Sequence, residues 1–152
     1  MKLKVGDKAP DFTLLNQDKK NIRLEIFKGE WLVLYFYPKD NTPGCTRESC
    51  DFRDAQKQFT QLKAVILGVS MGDEQSHQRF TEKYDLPFQL LCDTKAVVSK
   101  AYGVYKQKSL YGRKYWGIER TTFLIDPQSK IAAIFPKVKV DGHVDEVLDA
   151  LK

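Results

Sequence analysis

Residues 31–37 read Trp31-Leu32-Val33-Leu34-Tyr35-Phe36-Tyr37, an unbroken apolar and aromatic run that stops at Pro38. Seven such residues without polar alternation fit a central strand buried on both faces. A turn-rich stretch follows, Pro38 to Thr46, and a helical pattern starts near Pro43 or Gly44 and runs to about Leu62. Within it Phe52, Ala55, Phe59 and Leu62 share one helix face. Ala64–Ser70 is a second buried strand. Strand, helix, strand in that order predicts a right-handed parallel crossover.

The flanks extend this core. Before it, Phe12–Leu15 and Ile22–Leu24 are short strand-like stretches around the polar turn 16–21. After it, a helix is predicted over Glu74–Tyr84, ended by Leu86-Pro87. Phe88–Leu91 reads as a short strand, and Lys95–Tyr102 as a short helix closed by Gly103. Thr121–Asp126 and Lys130–Phe135 are strands joined by the turn 126–129, which makes them antiparallel neighbours. A helix over Val144–Leu151 closes the chain. The order predicts an α/β fold: a central mixed sheet flanked by helices. A thioredoxin-like fold with an added N-terminal segment has this order, as do other α/β folds.

With 152 residues, the chain is expected to form a single domain over residues 1–152. It can bury a core without a disulfide or metal. The net charge of +5 raises the question of nucleic acid or an anionic surface. The cations are scattered, with Lys19-Lys20 and Lys137/Lys139 the densest spots, so a solvated basic surface and no nucleic-acid partner is the expectation. No apolar run approaches the length of a membrane span. The polar opening residues give no export signal, and three cysteines is an odd number; both favour a reducing, cytoplasmic setting.

The chemistry concentrates in Tyr37-Pro38-Lys39-Asp40-Asn41-Thr42-Pro43-Gly44-Cys45-Thr46-Arg47-Glu48-Ser49-Cys50. Cys45 falls just past the carboxyl end of a buried strand, where α/β sheets bind ligands. It also falls in the first turn of a helix, where unpaired N–H groups and the helix dipole favour a thiolate. The bland alternative is a small packing residue. Cys50 lies five residues on. In an intact helix that spacing is a rise of about 7.5 Å and a rotation of about 140°. The Cα atoms then stand about 8.7 Å apart, beyond the reach of a disulfide. The two could bridge only if this part of the helix unwinds. His77 and His143 show no ligand-like pairing, which leaves a zinc site two ligands short, and both are expected at the surface.

Pro38-x-x-x-Thr42-x-x-Cys45 resembles the active-site signature of the peroxiredoxins. The wider stretch resembles their bacterioferritin-comigratory-protein, or PrxQ, branch. The segments 5–12, 101–104 and 111–126 resemble that branch in the same order. The resemblance implies a thioredoxin fold and a peroxidase without metal or other cofactor. Cys45 would be the peroxidatic cysteine and Cys50 the resolving one. Pro38 would shield the thiolate, Thr42 engage the peroxide, and Arg120 serve as the active-site arginine. Spacing alone leaves Arg120 open as a surface cation. Glu48 matches a family position; it would orient Arg47 or favour the first helical turn as a carboxylate. Cys92 lies outside the pattern and is expected to be a packing or semi-exposed thiol. Hydrogen peroxide or organic hydroperoxides would be the substrates, thioredoxin or a similar dithiol the reductant, and the enzyme a monomer. A thiol–disulfide oxidoreductase acting on proteins is the rival reading, although four residues separate the cysteines where Cys-x-x-Cys would be expected. Leu110–Trp116 is either the entrance for bulky substrates or an ordinary apolar loop.

Overall fold

The computed structural model describes residues 2–152. Its centre is the strand read first from the sequence: β3, Trp31–Phe36, buried from Leu32 onward. Around it the main sheet has the order β2-β1-β5-β4-β3-β8-β9. Here β1 is Thr13–Asn16, β2 Asn21–Arg23, β4 Ala64–Ser70, β5 Gln89–Cys92, β8 Thr121–Ile125 and β9 Ile131–Phe135. Strands β3, β4 and β5 run parallel; β8 lies antiparallel to β3 and to β9, and β1 lies antiparallel to β5. The sheet is mixed, as expected.

Alternation in β3 sends its side chains into two cores. Leu32, Leu34 and Phe36 join Leu67, Val69, Phe123 and Ile125 on one face, under Phe12, Leu24, Val98 and Tyr102. Val33, Tyr35 and Tyr37 join Ile66, Leu90 and Leu124 on the other. There they meet Phe52 of α1 (Pro43–Asp54), Phe59 of α2 (Gln56–Gln61), Phe80 of α3 (Glu74–Tyr84) and Val147 of α5 (His143–Leu151). The short helix α4, Val97–Ala101, serves the first face through Val98. Each fully buried Leu, Val or Phe contributes about 1.5–3 kcal/mol relative to exposure. A continuous apolar strand is stable only with both faces covered.

The centre of the sheet contains one close approach. Gly68 of β4 pairs with Tyr35 of β3. A Cβ on Gly68 would stand 2.8 Å from Tyr35 Cζ and 2.8 Å from Leu90 Cδ2. The missing side chain lets the Tyr35 ring lie over β4, stacked on Phe52 at 4.7 Å between centroids.

Two features differ from the sequence reading. The single helix expected to reach Leu62 is two helices, broken at Ala55 (φ −98°, ψ 4°). Phe52, Ala55 and Phe59 are buried, so the apolar face is continuous although the helix is not. Residues 105–118, read in part as a loop, form an antiparallel hairpin of β6 (Tyr105–Leu110) and β7 (Arg113–Ile118), outside the main sheet. Its two-residue turn has both residues at positive φ, Tyr111 at 51° and Gly112 at 78°, the geometry that two-residue hairpins prefer. No described helix is long and apolar enough to cross a membrane.

Candidate active site

Two strand ends place the site. β3 ends at Phe36, which is paired with Thr121, the first residue of antiparallel β8. Arg120, one residue earlier, therefore emerges beside the loop that leads from β3 into α1. That loop is the stretch 38–42. Thr42 is the N-cap residue of α1, extended at φ −92° and ψ 155°, and its carbonyl accepts from Thr46 N–H at 2.8 Å. Pro43 takes the first helical position, where a missing N–H costs nothing. Cys45 is then the third helical residue, among backbone N–H groups that have no partner within the helix.

Cys45 is fully buried. Arg120 reaches it with Nη2, 3.3 Å from Sγ, while Nη1 donates to Glu48 Oε1 at 2.7 Å. Glu48 is three residues after Cys45 and so on the same helix face. The guanidinium is a fixed fork with one tine on the thiol and the other on the carboxylate. Glu48 is itself fully buried, and its Oε2 has no hydrogen-bond partner. Burial pushes the Glu48 carboxyl up to about 7, outweighing the opposing pull of Arg120. Lys108 of β6 is close enough to feel the site: burial and then the Arg120 charge lower its pKa.

The sequence expectation that Glu48 orients Arg47 is not what the structure shows. Arg47 points outward and donates to Asp141 Oδ1 at 2.7 Å, while Glu48 turns inward to Arg120. The i+3 spacing from Cys45 was the one signal available; the partner lay 72 residues away.

Pro38 and Thr42 both precede Cys45 in sequence and are both partly buried. Thr42 Oγ1 donates to the Lys39 carbonyl at 2.9 Å, which leaves its lone pairs free to accept. Cys50 lies on the same unbroken helix as Cys45, and all three cysteines are free thiols. Burial first, and then nearby acids, raise the Cys50 pKa; Arg53 opposes them. Between the two cysteines, Ser49 Oγ is hydrogen-bonded to Tyr35 OH at 2.8 Å, which ties α1 to the central strand. Cys92 ends β5, buried, with Sγ 3.8 Å from the Asn16 carbonyl. Burial, and then Glu74, Asp40 and Asp73, push its thiol up to about 12. This is the packing thiol expected.

Both histidines are buried, against the expectation of surface positions. His143 bridges Thr122 Oγ1 at 2.8 Å and Glu146 Oε1 at 3.1 Å and packs edge-on to Phe52. His77 joins Asp40 at 2.6 Å. Each was isolated in the sequence because its partner arrives through the fold.

Known proteins resemble this chain over nearly its whole length. The family model described as AhpC/TSA matches residues 5–134. A putative peroxiredoxin bcp of Coxiella burnetii is 51% identical over 151 residues, covering 99% of this chain and 100% of that protein. Peroxiredoxin Bcp of Bacillus subtilis is 47% identical, covering 100% of this chain and 97% of the relative. Among solved structures, the bacterioferritin comigratory protein of Xanthomonas campestris, studied for its alkyl peroxide reduction activity, superposes with a TM-score of 0.91. It is 39% identical and covers 97% of each chain. A mutant of PrxQ from Xylella fastidiosa gives 0.94 at 39% identity, covering 99% of this chain and 96% of that one. A cysteine at the head of a helix, on a thioredoxin-like sheet, thus sits in a chain with full-length peroxiredoxin relatives: it belongs to the AhpC/TSA family, among the peroxiredoxins of the bacterioferritin-comigratory-protein or PrxQ type.

Proposed function

We propose that this chain is a peroxidase that reduces hydrogen peroxide and organic hydroperoxides with Cys45 as the attacking thiolate. The observation that carries the assignment is the contact of Arg120 Nη2 with Cys45 Sγ at 3.3 Å. A guanidinium there favours the thiolate and lies ready for charge that develops on the breaking O–O bond. The thiolate attacks the terminal peroxide oxygen, the O–O bond breaks, and the alkoxide leaves as an alcohol after taking a proton. Thr42 Oγ1, whose own proton is committed to Lys39 O, accepts a hydrogen bond from the hydroperoxide O–H. Pro38 shields the thiolate from water.

Cys45 is left as a sulfenic acid. Cys50 attacks it, a disulfide forms and water leaves. Five residues of intact helix hold the two Cα atoms about 8.7 Å apart, so α1 must open over its first turns before the bond can form. A dithiol then reduces the disulfide by exchange; thioredoxin is the reductant in this reading. The whole chain works as one domain and as a monomer, because an intramolecular disulfide needs no second subunit, and it works in the cytoplasm.

The deciding experiment follows consumption of hydrogen peroxide and an organic hydroperoxide, coupled to thioredoxin and its reductase. Wild type should turn over, Cys45→Ser should be inactive, and Cys50→Ser should form a sulfenic acid and stall. A wild-type protein that consumes no peroxide would sink the proposal.

A further inference from the structure

Below the active-site loop lies a charged cluster that the proposed cycle does not use. Asp40, midway between Pro38 and Thr42, is almost wholly buried, and its carboxylate accepts three hydrogen bonds. Tyr37 OH donates to Oδ1 at 2.6 Å, Ser76 Oγ to Oδ2 at 2.7 Å, and His77 Nδ1 lies 2.6 Å from Oδ2. The other ring nitrogen, Nε2, lies 2.9 Å from the backbone carbonyl of Leu91 on β5. A carbonyl can only accept, and so can an ionised carboxylate. Nε2 therefore carries a proton and donates to the carbonyl, and Nδ1 shares a short hydrogen bond with the Asp40 carboxyl, so that Asp40–His77 is a buried acid–imidazole pair. Burial alone would raise the Asp40 pKa; the bonds from His77, Tyr37 and Ser76 together with the His77 charge outweigh it and hold the carboxyl below its usual range.

The surroundings are shaped for this pair. A Cβ on Gly72 would stand 3.0 Å from Asp40 Oδ2 and 3.0 Å from His77 Cε1. The next loop residue, Asn41, turns the chain at φ +61°, a left-handed conformation that Asn adopts more readily than most side-chain-bearing residues. Asn41 Oδ1 accepts from Lys83 Nζ at 3.3 Å and Tyr84 OH at 3.2 Å. Helix α3 thus grips the loop twice, with its first turn on Asp40 and its last on Asn41. Buried ion pairs seldom add net stability over apolar packing, so their retention calls for another reason.

We infer that His77, acting through Asp40, is a positioning residue of the peroxidatic site: the pair ties the loop 38–42 to α3 and β5 and so fixes Pro38 and Thr42 relative to Cys45. This rests on the peroxidase reading above. Neither residue touches the sulfur; the effect on chemistry passes through the loop that carries Thr42.

The test compares two reactions of Cys45 in the same reduced, full-length protein. Peroxide reactivity needs the thiolate and the placed Thr42 and Pro38, whereas alkylation by iodoacetamide needs only an accessible thiolate. Stopped-flow oxidation by hydrogen peroxide and peptide-resolved mass spectrometry of iodoacetamide labelling are measured for wild type, His77→Gln, Asp40→Asn, the double variant and Ser76→Ala. Misplacement by about 1 Å can cost on the order of a hundredfold, so each of the two single charge variants should lose at least about tenfold in peroxide rate, with alkylation changed far less. The double variant should be no worse than the worse single one, as for two partners in one contact. Ser76→Ala removes one donor of three and should show the same selectivity at smaller size; if the charge variants do not fold, it decides. Peroxide rates within about threefold of wild type in the folded variants, a ratio corresponding to only ~0.65 kcal/mol, would overturn the inference. So would equal losses in both reactions. A wild-type protein inert to peroxide would defeat the peroxidase reading instead, before any variant is compared.

Discussion

A Cβ placed on Gly44 would stand 3.1 Å from Arg120 Nη2, the same nitrogen that touches Cys45. Gly44 is helical, with no unusual φ, so its value lies in the space it leaves and not in backbone freedom. Replacing it with Ala should gain up to about 1 kcal/mol of helix propensity while pushing the guanidinium aside. Gly44→Ala is therefore expected to melt no lower than wild type yet react with peroxide about tenfold more slowly or worse, in line with the loss of one donor to a developing charge. Thermal melts together with stopped-flow oxidation check this, and full activity would show that Arg120 accommodates the methyl group.

Arg120 should not be replaceable by Lys. A lysine keeps the charge and loses the fork that spans Cys45 and Glu48 at once. Arg120→Lys is expected to lower the second-order rate with peroxide by about a hundredfold, and Arg120→Met further. Equal rates for Lys and Arg would mean that charge alone serves the site.

Glu48 sets a pH dependence of stability. Its folded-state value, about 7, exceeds the ordinary 4.5, so the fold prefers the protonated carboxyl. Its contribution is fully present below 4.5 and is lost as pH rises to 7, a change of the order of 3 kcal/mol at most. Glu48→Gln cannot ionise, so the difference in unfolding free energy between variant and wild type should move in favour of the variant across that window. Denaturant titrations at several pH values measure this; parallel curves would show that Arg120 holds Glu48 ionised throughout.

Oxidation should open the head of α1 and leave its tail. Amide exchange over residues 43–50 is expected to speed up in the oxidised protein, while the buried strands β3 and β4 stay protected. Peptide mapping should find Cys45 linked to Cys50. Cys92, with its pKa pushed up to about 12, should label slowly in the native protein and readily in denaturant. A link from Cys45 to Cys92 would reassign the resolving role.

The parts of this molecule that were legible in the sequence are those whose signal is local. Trp31–Tyr37 and Ala64–Ser70 announced a doubly buried parallel pair because nothing polar interrupts them. Cys45 announced itself because strand end, Pro-Gly and helix start coincide. Arg120 was placed by family resemblance; the register of Phe36 on Thr121 supplies the physical reason. The hairpin β6–β7 was missed because it covers little: Lys106, Gln107, Ser109 and Leu110 are all exposed, and no buried face marks β6 as a strand. Its signal was Tyr111-Gly112 between two six-residue runs. His77 and Glu48 were misread for a different cause. A buried polar residue looks like a surface residue until its partner is known, and Asp40 and Arg120 arrive from 37 and 72 residues away.

The break at Ala55 bears on timing. Because α1 ends there and α2 begins as a helix of its own, anchored by Phe59, the segment that would open and close in the proposed cycle is bounded by Thr42 and Ala55. A helix of this size rewinds within about a microsecond. Bimolecular encounter with a reducing dithiol is far slower at any ordinary concentration, with on-rates of about 10⁵–10⁷ M⁻¹s⁻¹. In the proposed cycle, rewinding of the helix itself is therefore not the slow step in meeting the reductant.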